Sequence, residues 1–138
     1  MSLFNVFNIT GSGMSAQSMR LNTTASNIAN ADSVSSSIDE TYRARHPVFA
    51  AAMQKAAAGQ ETGVGVQVLG IVESNKPLQT EYAPEHPMAD INGNIYKPNV
   101  NVIEEMTNMI SASRSYQTNV QLAESAKNML NKTLQLGK

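Results

Sequence analysis

The chain is 138 residues long, carries a formal net charge of −1 and has no cysteine. Its lysines and arginines are scattered, with no basic run to neutralise phosphates, which removes nucleic acid from the expected partners, and without thiols neither a disulfide nor a thiolate metal site is open to it. With 15% charged and 5% aromatic residues, the expected organisation is one domain with a small insertion, and there is little material for a large aromatic core. No apolar run approaches the roughly 18 residues of a membrane-spanning helix, so direct membrane insertion is not expected. No lysine or arginine precedes the apolar start Leu3, Phe4, Val6, Phe7, as a secretory signal requires. The expectation is a cytosolic chain, or one that leaves the cell by a route independent of such a signal.

The first element is a helix. Steps of three and four residues from Phe4 give Phe7, Gly11, Met14, Ser18, Leu21, Ala25 and Ile28, a seam in which large residues alternate with small ones. Propensity works against it, because Asn5, Asn8, Thr10, Gly11, Gly13, Asn22, Thr23, Thr24, Asn27 and Asn30 are all modest or poor helix formers. Arg20 is the only charge before Asp32. A solvated helix normally carries many charges, so this face suits contact with other protein; the plainer reading is the first arm of a two-helix hairpin. In both readings the ends of the chain pair, and in both the segment alone is marginal.

Residues 32 to 98 change character. Asp32 to Ser37 is serine-rich and reads as a linker, and all five prolines, at 47, 77, 84, 87 and 98, follow it. Tyr42 to Phe49 can form an extended piece that Pro47 confines to an edge. Ala50 to Ala58 is open between a helical turn and a loop closed by Gly59. Val64, Val66 and Val68 alternate, then Leu69, Ile71 and Val72 shift face near Gly70, which predicts a strand with a bulge or bend. Leu78 to Tyr82 offers a second strand, and Asn92-Gly93 between Ile91 and Ile95 predicts a tight type I′ turn. So few large apolar residues leave this β-rich insertion dependent on its neighbours for stability.

The last element, Asn101 to Leu136, is a long helix without internal proline or glycine. Its seam runs Val102, Met106, Met109, Ser113, Tyr116, Val120, Ala123, Lys127, Leu130 and Leu134. Asn101 with Glu104 three residues on predicts an approximate capping box. At about 1.5 Å per residue the helix extends roughly 50 Å, too far for one small domain to wrap, so it needs a long partner, which the N-terminal helix supplies.

Chemistry is almost absent. His46 and His86 each adjoin a proline and read as exposed loop residues rather than ligands. Asp90-Ile-Asn-Gly-Asn has its glycine too early for a calcium loop and reads as a turn. Glu104 and Glu105 read as acids favouring a helix start. Gly11-Ser-Gly13 lacks the lysine and preceding strand of a phosphate loop, and Ser111, Ser113 and Ser115 have no nearby histidine. The eight methionines read as adaptable packing. No enzyme activity and no cofactor is expected.

Leu21-Asn-Thr-Thr-Ala-Ser-Asn-Ile-Ala-Asn-Ala-Asp32 resembles the asparagine-rich N-terminal motif of the flagellar axial protein family, which comprises rod, hook and filament-junction subunits. Pro98-Asn-Val-Asn-Val-Ile-Glu-Glu-Met106, followed by Met109-Ile-Ser-Ala-Ser-Arg-Ser-Tyr-Gln117, resembles the C-terminal signature of a basal-body rod member of that family, and the terminal Lys132-Thr-Leu-Gln-Leu-Gly137 agrees with it. Residues 33 to 62 match nothing specific.

The resemblance implies a mainly α fold with a small β-rich insertion, the long N- and C-terminal helices (1–31 and 99–138) pairing as a coiled-coil-like inner domain and residues 32–98 facing outwards. It implies a structural subunit of the proximal rod, exported through the flagellar type III apparatus without a cleaved signal, that assembles in the periplasm with itself and other rod proteins around an export channel and transmits torque. Ala25 to Ala31 would then serve subunit packing and export recognition. The expected assembly residues are Phe4, Phe7, Met14, Leu21, Ala25, Asn27, Ile28 and Asn30 on the first helix, with Val102, Met106, Met109, Tyr116, Val120, Leu130 and Leu134 on the last. The competing readings are another type III-exported axial protein, differing around Val100 to Gln117, and a cytosolic helical module that binds one partner.

Overall fold

The computed structural model describes residues 3–52 and 63–137. Two long helices, α1 (Leu3–Ala29) and α2 (Val102–Leu136), bracket four short strands: β1 (Arg45–Ala51), β2 (Val66–Glu73), β3 (Gln79–Tyr82) and β4 (Asn94–Lys97). The fold is mainly helical, the helices pack on each other, and the strands form two separate two-stranded sheets between them.

Local chemistry explains the helix ends. Asn101 sits in extended backbone, and its Oδ1 accepts from the amides of Ile103 (3.1 Å) and Glu104 (3.3 Å), two donors the first turn would otherwise leave unpaired. The cap is one-sided: the Glu104 carboxylate does not complete a reciprocal box but lies 3.8 Å from Lys76 Nζ. In α1 the hydroxyls of Thr10 and Thr23 bond back to the carbonyls of Val6 (2.8 Å) and Met19 (3.1 Å). Satisfied within their own helix, both side chains can be buried without an outside partner.

The pair runs antiparallel. Going up α1, Gly13 faces Asn119, Arg20 Nη2 donates to Asn108 Oδ1 at 3.0 Å, and Asn27 Nδ2 donates to Glu105 Oε2 at 3.0 Å. Approach is close at Gly13, where an added Cβ would stand 3.0 Å from Asn119 Nδ2. This closeness rotates the contact away from the expected seam. Among the described residues the deepest line of α2 is Glu105, Ala112 and Ala126, with Asn119 in step between them, while Met106, Tyr116 and Leu134 stay exposed. Large side chains do not fit where two helix backbones nearly touch, so small and polar ones take the inner positions.

β1 and β2 pair antiparallel, and opposite Val48 and Phe49 stand Gly70 and Val68, leaving Leu69 as the extra residue of a bulge. The bend expected near Gly70 is this bulge. The hairpin lies against α1, and Gly65, just before β2, makes the contact possible: a Cβ there would stand 2.5 Å from Ser12 Oγ, which accepts from the Val66 amide at 3.1 Å. Ala50 and Ala51 belong to β1; the rest of the alanine-rich stretch, from residue 53, lies outside the described residues. His46 is in β1, half-buried, and not in a loop.

β3 pairs antiparallel with β4, and Ser35 bridges to Tyr96, so the serine-rich segment is tied to the sheet rather than free. The Asn92-Gly93 turn differs from expectation. Among the described residues Gly93 alone has positive φ, at 78°, so the turn is not type I′, which needs two such positions. Asp90 sets its shape, Oδ1 accepting from the amides of Asn92 (2.7 Å) and Asn94 (2.9 Å). The strands it serves, ending at Tyr82 and starting at Asn94, are joined by a long loop and not by a two-residue hairpin.

Candidate functional site

Where α1, β1 and α2 meet, the interior is polar. The Asn27 side chain is fully buried, and all four of its hydrogen-bonding positions are filled. Nδ2 donates to the Arg45 carbonyl (2.8 Å) and to Glu105 Oε2 (3.0 Å); Oδ1 accepts from the Arg45 amide (2.9 Å) and Tyr42 Oη (2.9 Å). Glu105 is 3% exposed, with His46 Nδ1 4.0 Å from its other oxygen. Burial pushes the Tyr42 phenol pKa up, an effect the nearby Arg45 guanidinium partly opposes. A second asparagine closes the same junction: Asn99 Oδ1 accepts from the Ala44 amide (2.9 Å), while its Nδ2 donates to the carbonyls of Ser74 (3.2 Å) and Lys76 (2.8 Å). Two asparagines thus lock the insertion to the helix pair.

The opposite holds outside. Phe4, Ala25, Met106, Tyr116 and Leu134 are exposed; Phe7, Met14, Leu21, Ile28, Val102, Met109, Val120 and Leu130 are half-buried. Asn30 is half-buried, and its amide donates to its own helix at the Ser26 carbonyl (2.8 Å). Asn27 is committed within the chain, so its amide has nothing to offer a neighbour. Two further lines of exposed apolar residues were not singled out by the seam: Ile103 and Ile110 beside Met106, and Leu122, Met129 and Leu136 at intervals of seven. The interval itself was the available signal, since seven residues return to one side of a helix.

Among the described residues no cluster of three histidines or acids is placed to hold a metal, and no helix is long and apolar enough to cross a membrane.

Comparison with known proteins agrees with a helix pair built for association. The family model described as "Flagella basal body rod protein" matches residues 7–35, and that described as "Flagellar basal body rod FlgEFG protein C-terminal" matches residues 91–136. Over 99% of both chains, the sequence is 50% identical to the flagellar basal-body rod protein FlgC of Salmonella typhimurium. The chain belongs to the FlgC family of flagellar basal-body rod proteins. Its FlgC relative in Yersinia enterocolitica is likewise 50% identical, and that in Buchnera aphidicola subsp. Baizongia pistaciae 37% identical, each over 99% of both chains. As an FlgC-family member it is a structural subunit of the basal-body rod. The two matched segments cover most of α1 and all of α2 and, with Asn27 and Glu105, both sides of their buried polar contact.

Proposed function

We propose that this FlgC-family chain builds the proximal rod, packing with other copies and other rod proteins into a helical drive shaft that surrounds the export channel and passes torque towards the hook. The role is mechanical, with no catalytic step. Residues 1–31 and 99–138 act as one discontinuous inner domain, and 32–98 forms the outward insertion. The protein reaches the periplasm through the flagellar type III apparatus without a cleaved signal. The observation that carries this reading is the inversion of polarity: asparagine and glutamate fill the junction while large apolar side chains stand in solvent along α2. A lone stable binding module would bury those side chains; a subunit keeps them for its neighbours.

Contacts that do not close into a ring extend into a filament, and many shared helix contacts carry load. The test is complementation of a strain lacking its own homologue, with isolated basal bodies probed for the chain. Incorporation into the rod with restored swimming is expected. A chain found only as a soluble monomer, with no rods formed, would overturn the reading.

A further inference from the structure

Asn92-Gly93 is the one Asn-Gly step in the sequence, and Asn92 is exposed. Such a step is chemically labile, because the main-chain nitrogen that follows an asparagine can attack the side-chain amide carbon, and a following glycine has no Cβ to block the approach. The fold restrains that attack. The Gly93 amide donates to the Asp90 carbonyl at 3.0 Å, and with negative φ at both Ile91 and Asn92 residues 90–93 form a type I turn, whose third residue, Asn92, has ψ of about 0°. Ring closure needs the Gly93 nitrogen swung round onto the Asn92 side chain, a rotation that this ψ excludes and that breaks the turn bond. Asp90 braces the same backbone: its Oδ1 accepts from the Asn92 and Asn94 amides, and its own amide donates to the Asn94 carbonyl at 2.9 Å. Nor can another residue readily replace the glycine. Its φ is 78°, and a Cβ there would stand 2.9 Å from Tyr82 Cε2.

We propose that Asn92 is a site of spontaneous deamidation, which the turn braced by Asp90 keeps closed in the folded chain and which opens whenever that turn is undone. In the open chain hydroxide removes the Gly93 amide proton, and the nitrogen's electron pair forms a bond to Asn92 Cγ. The Cγ–Nδ2 bond then breaks, and the nitrogen leaves as ammonia with a proton from water, which restores the hydroxide. Water next adds across one of the two ring C–N bonds. Opening at Cγ leaves aspartate; opening at the main-chain carbonyl leaves isoaspartate, in which the backbone runs through the side chain and is one carbon longer. No group is oxidised or reduced. Either product sets a second carboxylate two residues from Asp90, whose own carboxyl already gathers the Asn92 and Asn94 amides and Tyr96 Oη. The longer backbone of isoaspartate also moves the Gly93 amide out of reach of the Asp90 carbonyl. A chain so altered cannot rebuild the turn, and the change accumulates with the time spent unfolded.

The test incubates the full chain in warm, mildly alkaline buffer, native and in guanidinium chloride, and reads the peptide containing Asn92 by mass spectrometry and by isoaspartate-specific methylation. Conversion in denaturant is expected at least about tenfold faster than in the native chain, where the turn must first open. Asp90→Ala, which removes the brace, should raise the native rate severalfold; Asp90→Asn, whose side-chain oxygen still accepts the two amides, should leave it near the original. Asn92→Gln should abolish the signal under both conditions. Equal native and denatured rates would overturn the proposal, as would faster conversion at another asparagine than at Asn92 in denaturant. If circular dichroism shows that Asp90→Ala does not fold, the comparison of native with denatured unsubstituted chain decides by itself. Purified isoaspartyl chain returned to native buffer should lack slow hydrogen exchange at the Asn94 amide, and protection equal to that of the unmodified chain would show that the turn does re-form.

Discussion

The two ends of the helix pair are built on opposite plans. At the junction, Asn27, Glu105 and Tyr42 are packed inside with their polar groups paired, whereas at the far end Phe4 and Leu136 are apolar and mostly exposed. The polar end defines one arrangement, because its buried hydrogen bonds hold only within narrow limits of distance and angle. The apolar end leaves its contacts unmade, and apolar burial tolerates a range of partners and orientations. Internal shape is thereby fixed at one end of the two helices, while exposed apolar side chains run along α2 from Ile103 and Ile110 to Leu136.

The comparison breaks most severely at Asn27. Asn27→Leu strands the Glu105 carboxylate, the Tyr42 hydroxyl and both backbone groups of Arg45, and each unpaired buried group costs about 1–3 kcal/mol. A loss of roughly 3–5 kcal/mol is expected, read by thermal unfolding, with tertiary contacts of the insertion lost before helix content. A change of under about 1 kcal/mol would mean that the junction does not hold the fold. At the far end, Leu136→Ala should leave the unfolding midpoint of the purified monomer unchanged, since the side chain is 88% exposed.

A smaller effect is expected where the hairpin meets α1. Gly65→Ala places a methyl 2.5 Å from Ser12 Oγ, so the hydroxyl must turn away from the Val66 amide and from the Ile9 carbonyl it now contacts at 2.8 Å. A cost of about 1–2 kcal/mol follows, and Ser12→Ala in the same chain should recover part of it. Smaller again is the contrast between two glycines of α1. Gly11→Ala should stabilise the monomer by up to about 1 kcal/mol, since nothing opposes the methyl, while Gly13→Ala should gain less because Asn119 must yield. Circular dichroism melting of the two variants checks the order; equal gains would show that the helices are not in close contact at Gly13.

The smallest effect concerns acid. The amides of Asn94 and Asn92, with Tyr96 Oη, hold the Asp90 carboxyl below the usual carboxylate range. A lowered folded-state pKa means that the turn is favoured above the unfolded value, about 3.9, and loses that support as pH falls through the folded one. The same bond to Asp90 raises the Tyr96 phenol. Carboxyl chemical shifts followed by NMR from pH 6 to 2 should show Asp90 titrating below 3.9, and Asp90→Asn should remove the corresponding part of the acid sensitivity.

Much of the architecture was legible because it depends on local signals. The Asn101 cap, the uninterrupted run to Leu136 and the bend by Gly70 are statements about neighbouring residues, and the structure has them all. The phase of α2 was less legible, since its large apolar residues line up through Met106 whereas the buried line runs through Glu105. Ala112 and Ala126, fourteen apart, mark the true inner line, but small residues signal close approach only when what faces their line is known, here Gly13 against Asn119 midway between them. Asn27 looked like one polar residue among many in a motif. Its role depends on Arg45 and Glu105, which no local pattern joins to it. The turn type failed for a related reason: Asp90 decides it from two residues upstream of Asn92.

The Asn27–Glu105 bond also has a kinetic meaning. Its partners are 78 residues apart in sequence, so nearly four-fifths of the chain must be present before it can form. Closing so long a loop precedes any reward from the contact, which raises contact order and slows folding. A chain that emerges from one end, whether from a ribosome or from a narrow channel, meets this bond late in either direction. Until then α1 has only its own weak propensity and the β1–β2 hairpin that lies against it, and the first and last helices remain unpaired. The molecule therefore acquires its final shape at the end of delivery, when its last helix has arrived to complete the lock.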